Sequence, residues 1–125
     1  MALVLIIDDE PGMRRTMRRF LKDAGHTVLE APSGSIGLRL FEEAAPDLVI
    51  LDLFMPEKEG IQTMREMREI RPDAKIIAIS GGGRYGLNLL DGLEQLGATD
   101  TLAKPFGKDA FLSSVERALD TAASK

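Results

Sequence analysis

The stretch LVLIIDD, residues 3–9, is an apolar run that ends in two aspartates. Three later runs share this pattern of an apolar segment followed by a polar side chain: LVIL before Asp52, IIAI before Ser80 and TLA before Lys104. Short apolar runs of this kind are typical of strands that are buried on both faces of a parallel sheet. The carboxyl ends of parallel strands meet at one edge, where ligands bind in α/β folds. We therefore expect these polar groups to form one site.

Helix-like segments separate the strand-like runs. We predict strands at 3–7, 27–31, 48–51, 74–79 and 99–103. Helices are predicted at 12–24, from Ser33 to about Ala45, at 61–70, around Leu89–Leu96 and around Phe111–Leu119. Apolar residues recur in them at helical spacing, as Met13, Met17 and Phe20 do in the first helix. Strict alternation of five strands and five helices predicts an α/β fold, with a doubly wound parallel sheet covered by helices on both faces.

Composition places the chain among small globular proteins. Its 125 residues suit a single domain over 1–125, and 44% hydrophobic residues suffice for a core. The chain has no cysteine, which excludes disulfides, thiolate metal sites and a cysteine nucleophile. A net charge of −4 argues against direct nucleic-acid binding. No apolar run approaches the roughly 20 residues of a membrane span, and no signal peptide is apparent, so a cytoplasmic location is expected.

The predicted site would hold three carboxylates, one hydroxyl and one ammonium group. Ionised carboxylates at one site repel one another, so either their pKa values rise or a cation lies among them. Magnesium, a hard cation with oxygen ligands, fits such a set. A metal ion beside an ammonium group is suited to stabilising a phosphoryl group in transfer, and an aspartate can itself accept phosphate. We therefore assign the following roles: Asp8 and Asp9 to the metal, Asp52 to phosphate acceptance, and Ser80 and Lys104 to the phosphoryl oxygens.

Each of these residues has a simpler interpretation when it is taken alone. An Asp-Asp pair after a strand is often a turn or the start of a helix, and Lys104-Pro105 can simply end a strand. Their joint position at successive strand ends favours the functional interpretation.

Four segments together resemble the receiver domain of bacterial response regulators, including the stand-alone receivers of chemotaxis. The segments are Ile7-Asp8-Asp9-Glu10, Leu51-Asp52-Leu53-Phe54-Met55-Pro56 with Gly60, Ile79-Ser80-Gly81, and Gly97-Ala98 followed by Lys104-Pro105-Phe106. Their order and spacing match along essentially the whole chain. The resemblance implies a flavodoxin-like fold with strand order 2-1-3-4-5.

The resemblance also implies a chemistry. Asp52 would accept a phosphoryl group from a histidine of a sensor histidine kinase or a histidine phosphotransfer protein. Magnesium would be the cofactor, bound by Asp9 directly, by Asp8 mostly through water, and by Asp52 and the backbone carbonyl of Phe54. Such a protein is a signalling switch that promotes its own phosphotransfer and dephosphorylation, and it is not an enzyme with a separate substrate.

The switch implied by the resemblance involves the last two strand ends. Ser80 and Lys104 would move toward the phosphoryl oxygens, and the Lys104–Pro105 peptide bond would be cis. Members of the family often have an aromatic residue where this chain has Thr101. Threonine cannot fill an aromatic pocket, so the coupling between Ser80 and that position is expected to differ here.

A glycine-rich loop follows the fourth strand. Residues 80–96 are the predicted bistable element, because Gly81-Gly82-Gly83 gives this loop access to alternative backbone states. The 80–106 face would then control a downstream protein target or an output domain. Self-association could use the fourth and fifth predicted helices.

The first predicted helix carries a run of basic residues: Arg14, Arg15, Arg18, Arg19 and Lys22. They form either a solvated face or a docking surface for an acidic or amphipathic partner. The sequence alone leaves both interpretations open.

Two other functions compete with the switch. A phosphatase of the haloacid dehalogenase type uses similar groups, but its first strand ends in Asp-x-Asp, whereas this chain has Asp8-Asp9-Glu10. Turnover of generic phosphate esters would identify such an enzyme. A receiver-shaped module that works without phosphorylation usually loses part of the charged set, which this chain keeps. Asp52→Asn would leave the partner binding of such a module unchanged.

Overall fold

A computed structural model of the chain describes residues 1–53, 59–80 and 97–121. The strands are β1 (Leu3–Ile7), β2 (Thr27–Ala31), β3 (Leu48–Asp52), β4 (Ile76–Ser80) and β5 (Asp100–Ala103). The helices in these ranges are α1 (Pro11–Asp23), α2 (Gly34–Ala44), α3 (Glu59–Ile70) and α4 (Lys108–Thr121). The fourth helix predicted from the sequence, around Leu89–Leu96, lies outside the described residues, so the fifth predicted helix is α4. Among the helices described, none is long and apolar enough to span a membrane.

The five strands form one parallel sheet in the order β2-β1-β3-β4-β5. This order confirms the predicted flavodoxin-like, doubly wound fold. The register pairs Ile7 with Leu51 and Asp52 with Ile79, so β1, β3 and β4 end side by side. Ser80 in turn pairs with Ala103, the last residue of β5. The polar residues that end these strands therefore lie along one edge of the sheet.

The boundaries of most elements differ from the prediction by one or two residues. The fourth strand begins at Ile76 rather than Ala74, because the Ala74 N–H donates to the Arg71 carbonyl (3.0 Å) in a turn that closes α3. The third strand extends to Asp52, which pairs with Ile79 in the ladder. The acidic side chain thus belongs to the rigid sheet and not to the loop that follows it.

Two apolar layers pack on the opposite faces of the sheet. In β1, Leu5 and Ile7 belong to the layer beneath α2 and α3, whereas Val4 and Ile6 belong to the layer beneath α1 and α4. All four side chains are fully buried, and each contributes about 1.5–3 kcal/mol to folding. A Cβ atom at Gly37 would clash with the Ile7 side chain, so glycine allows α2 to approach the sheet closely. Because both faces are covered, polar side chains of the central strands are confined to the strand ends.

Candidate functional site

Three aspartates meet at the carboxyl ends of β1 and β3. Carboxylate oxygens of Asp8, Asp9 and Asp52 all lie within 4.8 Å of one another. Asp8 is fully buried and Asp52 is 2% exposed, whereas Asp9 is exposed at the mouth of the site. The structure thus brings together the three carboxylates that the strand ends predict, two of them inside the protein and one at its surface.

Lys104 lies across the site from these carboxylates. Its Nζ atom is 3.2 Å from Asp52 Oδ2, 3.8 Å from Asp8 Oδ2 and 3.9 Å from Glu10 Oε1. The backbone N–H of Lys104 donates to the backbone carbonyl of Ser80 (2.9 Å). This bond fixes the backbone of Lys104 beside the end of β4. The Lys104–Pro105 peptide bond is cis. Glu10 was not among the predicted site residues, and its only sequence signal is its position after the aspartate pair.

Asp8 carries a poorly compensated negative charge. Burial raises its pKa to about 6 from an ordinary value of 3.8, and the nearby Asp52 charge adds to the rise. The Glu10 N–H, which donates to Asp8 Oδ1 at 2.9 Å, and the Lys104 charge act in the opposite direction. Within the described ranges Asp8 Oδ2 is buried and has no hydrogen-bond partner. The protein groups of the site therefore do not fully stabilise the ionised carboxylate.

These residues fit a hard divalent cation. The donor atoms are all carboxylate oxygens, which are the protein ligands that magnesium prefers. A cation among them would also stabilise the buried charge on Asp8 Oδ2. The fourth predicted ligand, the backbone carbonyl of Phe54, lies outside the described residues. The structure describes the carboxylate part of the predicted magnesium site.

Ser80 provides a hydroxyl group at the same edge of the sheet as the carboxylates. It ends β4, one position after the partner of Asp52, and it is 1% exposed. Its Oγ atom has no hydrogen-bond partner among the residues for which coordinates are described. A buried hydroxyl in this state can donate to an oxygen atom that enters the site. Thr101 pairs with Ala78 on β4, so its side chain lies on the same face of the sheet as Ser80.

Arg14 and Glu30 were not predicted as parts of the site. Arg14 Nη1 donates to the Asp8 carbonyl (2.7 Å), and its Nε atom is 3.5 Å from Glu30 Oε1. Arg18 Nη1 donates to Glu30 Oε2 at 2.6 Å. The sequence placed both arginines on an outer basic face of the first helix. The prediction is wrong for Arg14, whose side chain is 18% exposed and donates to the Asp8 carbonyl. Arg18 is 41% exposed although it pairs with Glu30, and Arg15, Arg19 and Lys22 are exposed.

The chain is similar to signalling proteins along nearly its whole length. Residues 4–116 match the family described as Response regulator receiver domain. Chemotaxis protein CheY of Listeria monocytogenes is 34% identical over 119 residues, which are 94% of this chain and 98% of that protein. Transcriptional regulatory protein GlrR of Escherichia coli is 33% identical over 124 residues, 98% of this chain but 27% of that longer protein. The crystal structure of a response regulator receiver domain protein from Clostridium thermocellum has a TM-score of 0.89 and 30% identity, covering 98% of each chain.

Proposed function

Because this chain belongs to the response regulator receiver domain family, we propose that it is a phosphoacceptor switch of two-component signalling in which Asp52 takes the phosphoryl group. One observation carries this assignment. Asp52 is a carboxylate in a buried position, it lies 3.2 Å from the Lys104 ammonium group, and two further carboxylates lie within 4.8 Å of it. A nucleophile, a fixed cation and a set of metal ligands therefore meet at one point.

Each residue of the site has a separate proposed role in phosphoryl transfer. A carboxylate oxygen of Asp52 forms a bond to phosphorus while the bond between phosphorus and the donor histidine nitrogen breaks, and the imidazole leaves with its electron pair. Lys104 and Ser80 donate hydrogen bonds to the phosphoryl oxygens. Asp8, Asp9, Asp52 and the Phe54 carbonyl are the proposed magnesium ligands. Magnesium, when bound by these residues, would supply positive charge that stabilises the phosphoryl group in transfer.

The output of the switch is proposed to arise at the last two strand ends. A phosphoryl group adds about −1.5 to −2 charges and three acceptor oxygens, which attract the Ser80 hydroxyl and Lys104. Residues 80–96 are the proposed bistable element, of which residues 81–96 lie outside the described part of the chain. The 80–106 face would control a protein target or an output domain, with Thr101 replacing the usual aromatic residue. Self-association would use the fourth and fifth predicted helices of the sequence, of which the structure describes the fifth, α4.

Membership of the family supports a proposal for the phosphodonor, the location and the extent of the domain. The proposed phosphodonor is a sensor histidine kinase or a histidine phosphotransfer protein, and the proposed location is the cytoplasm. Residues 1–125 are proposed to act as one receiver domain. The chain spans nearly the full length of the chemotaxis relative but about a quarter of the transcriptional regulator.

Incubation with acetyl phosphate tests the proposed chemistry directly. We expect one phosphoryl adduct per chain in the intact mass when magnesium is present, and little or none when it is removed with a chelator. The magnesium requirement follows from the carboxylate repulsion at Asp8 and Asp52. The absence of an adduct in every condition would contradict the proposal and favour a module that works without phosphorylation. Release of phosphate from generic esters over many turnovers would instead indicate a phosphatase.

A further inference from the structure

The peptide bond that joins Asp8 to Asp9 is held at a single point by α1. Its oxygen, the Asp8 carbonyl, accepts the hydrogen bond from Arg14 Nη1 at 2.7 Å. The Asp8 N–H is held separately by the Ala31 carbonyl of β2, at 3.1 Å. With both sides of Asp8 fixed, the plane of the peptide bond that leads to Asp9 is also fixed. This plane sets the positions of the Asp9 N and Cα atoms, from which the exposed Asp9 carboxylate extends.

Arg14 is itself oriented by Glu30. Glu30 belongs to β2 and pairs with Ile6, so its backbone is part of the rigid sheet. Its Oε1 atom is 3.5 Å from Arg14 Nε, and its Oε2 atom accepts from Arg18 Nη1. The Arg14 side chain is 18% exposed and that of Glu30 is 25% exposed, so solvent screens this contact less than a fully exposed ion pair. A chain of contacts thus runs from β2 through Glu30 and Arg14 to the Asp8–Asp9 peptide.

We propose that Arg14, oriented by Glu30, is a positioning residue for the magnesium ligands Asp8 and Asp9. It acts through the backbone that carries them and not by contact with the ion. The inference rests on the proposed function, because it assigns the two aspartates to magnesium. An arginine is suited to this role since its planar guanidinium group can donate to the carbonyl and to Glu30 at the same time. Lysine would keep the charge but offers one nitrogen atom to both partners.

A purely electrostatic role and a positioning role of Arg14 predict opposite changes in magnesium affinity when Arg14 is replaced. A positive charge close to a cation site repels the cation, so its removal alone should strengthen magnesium binding. If Arg14 instead orients the ligands, its removal should weaken binding about 10-fold, as is usual for residues that orient metal ligands. Arg14→Lys further distinguishes the electrostatic role from the positioning role. It keeps the positive charge but cannot contact the Asp8 carbonyl and Glu30 at the same time. Arg15→Gln is the matched control, since Arg15 is the exposed neighbour on the same helix.

The experiment is calorimetric titration of the unphosphorylated full chain with magnesium. We expect Kd to rise about 10-fold in Arg14→Gln, by a similar factor in Arg14→Lys, and about 3-fold in Glu30→Gln. Combining Arg14→Gln with Glu30→Gln should add little, because the two residues act in one chain of contacts. Arg15→Gln should leave Kd unchanged or lower it slightly. Urea unfolding of each variant in chelator verifies that the titrated protein is folded.

The outcomes separate the positioning role from the proposed function. Failure of the native chain to bind magnesium would contradict the proposed function itself. Native binding with an unchanged or lowered Kd in folded Arg14→Gln would overturn the positioning role alone, as would native-like binding by Arg14→Lys. A second readout is the magnesium dependence of the acetyl phosphate adduct. The half-saturating magnesium concentration should rise in Arg14→Gln, while the final yield at saturating magnesium should remain that of the native chain.

Discussion

Replacement of Asp52 by asparagine is expected to abolish the phosphoryl adduct in the intact mass while the chain remains folded. The amide has nearly the shape of the carboxylate, so it fits the buried position, which is 2% exposed. It is not a nucleophile toward phosphorus, and the remaining Asp8 and Asp9 are predicted to bind the metal rather than accept the phosphoryl group. The loss should therefore be complete at the magnesium and acetyl phosphate concentrations that modify the native chain.

Asp120→Asn is the matched control for this substitution. It makes the same chemical change at an exposed residue in the last turn of α4, so its adduct should equal that of the native chain. Far-ultraviolet circular dichroism of the Asp52→Asn chain shows whether the fold is kept. An undiminished adduct in the folded Asp52→Asn chain would mean that another residue accepts the phosphoryl group.

Replacement of Asp8 by asparagine is expected to stabilise the metal-free protein at neutral pH. The pKa of Asp8 is raised to about 6 in the folded chain, chiefly by burial, against 3.8 as its ordinary value. Between these two values the folded chain holds a proton that the unfolded chain has lost, so the free energy of unfolding falls as pH rises from about 4 to about 6. Above pH 6 the folded chain carries the full cost of the buried charge. The asparagine amide avoids this cost, which we expect to be about 1–3 kcal/mol.

Urea unfolding with and without magnesium measures this effect. In chelator, the gain in stability of Asp8→Asn should be small near pH 4 and reach its full size near pH 7. Magnesium should stabilise the native chain by mass action and should stabilise the variant much less. Asp9→Asn is the control, because Asp9 is exposed. The Asp9→Asn chain should no longer be stabilised by magnesium, and in chelator its free energy of unfolding should equal that of the native chain. A loss of stability in metal-free Asp8→Asn at neutral pH would contradict this account.

The strand ends could be predicted from the sequence because they obey a simple physical constraint. A strand that is covered on both faces is apolar along its length, so a charged residue can appear only where the cover ends. Asp8, Asp52 and Lys104 all follow this rule, and the structure brings all three to one edge. The strand order did not follow from this rule. It came from the resemblance of the motifs to a known family.

The contacts of α1 could not be predicted in the same way. Helical spacing shows which side chains point away from the apolar stripe, but it does not show which of them meet a partner from another strand. Arg14 and Arg18 contact Glu30 because β2 pairs with β1 in the register that places Glu30 beside Ile6. The one available signal was Glu30 itself, a charged residue within the short strand Thr27–Ala31. Likewise, the adjacent pair Asp8-Asp9 does not by itself show which carboxylate is buried, whereas the structure buries Asp8 and exposes Asp9.

Locating the phosphoryl group on the native chain tests the central claim most directly. Borohydride cleaves an aspartyl phosphate reductively and leaves homoserine at the modified residue. After acetyl phosphate and magnesium treatment, reduction and tryptic digestion, we expect homoserine only at position 52, in the peptide of residues 40–58 that also contains Asp47. Fragmentation of this peptide distinguishes the two aspartates. Homoserine at Asp8, Asp9 or Asp47, with Asp52 unmodified, would contradict the assignment of Asp52 as the phosphoryl acceptor.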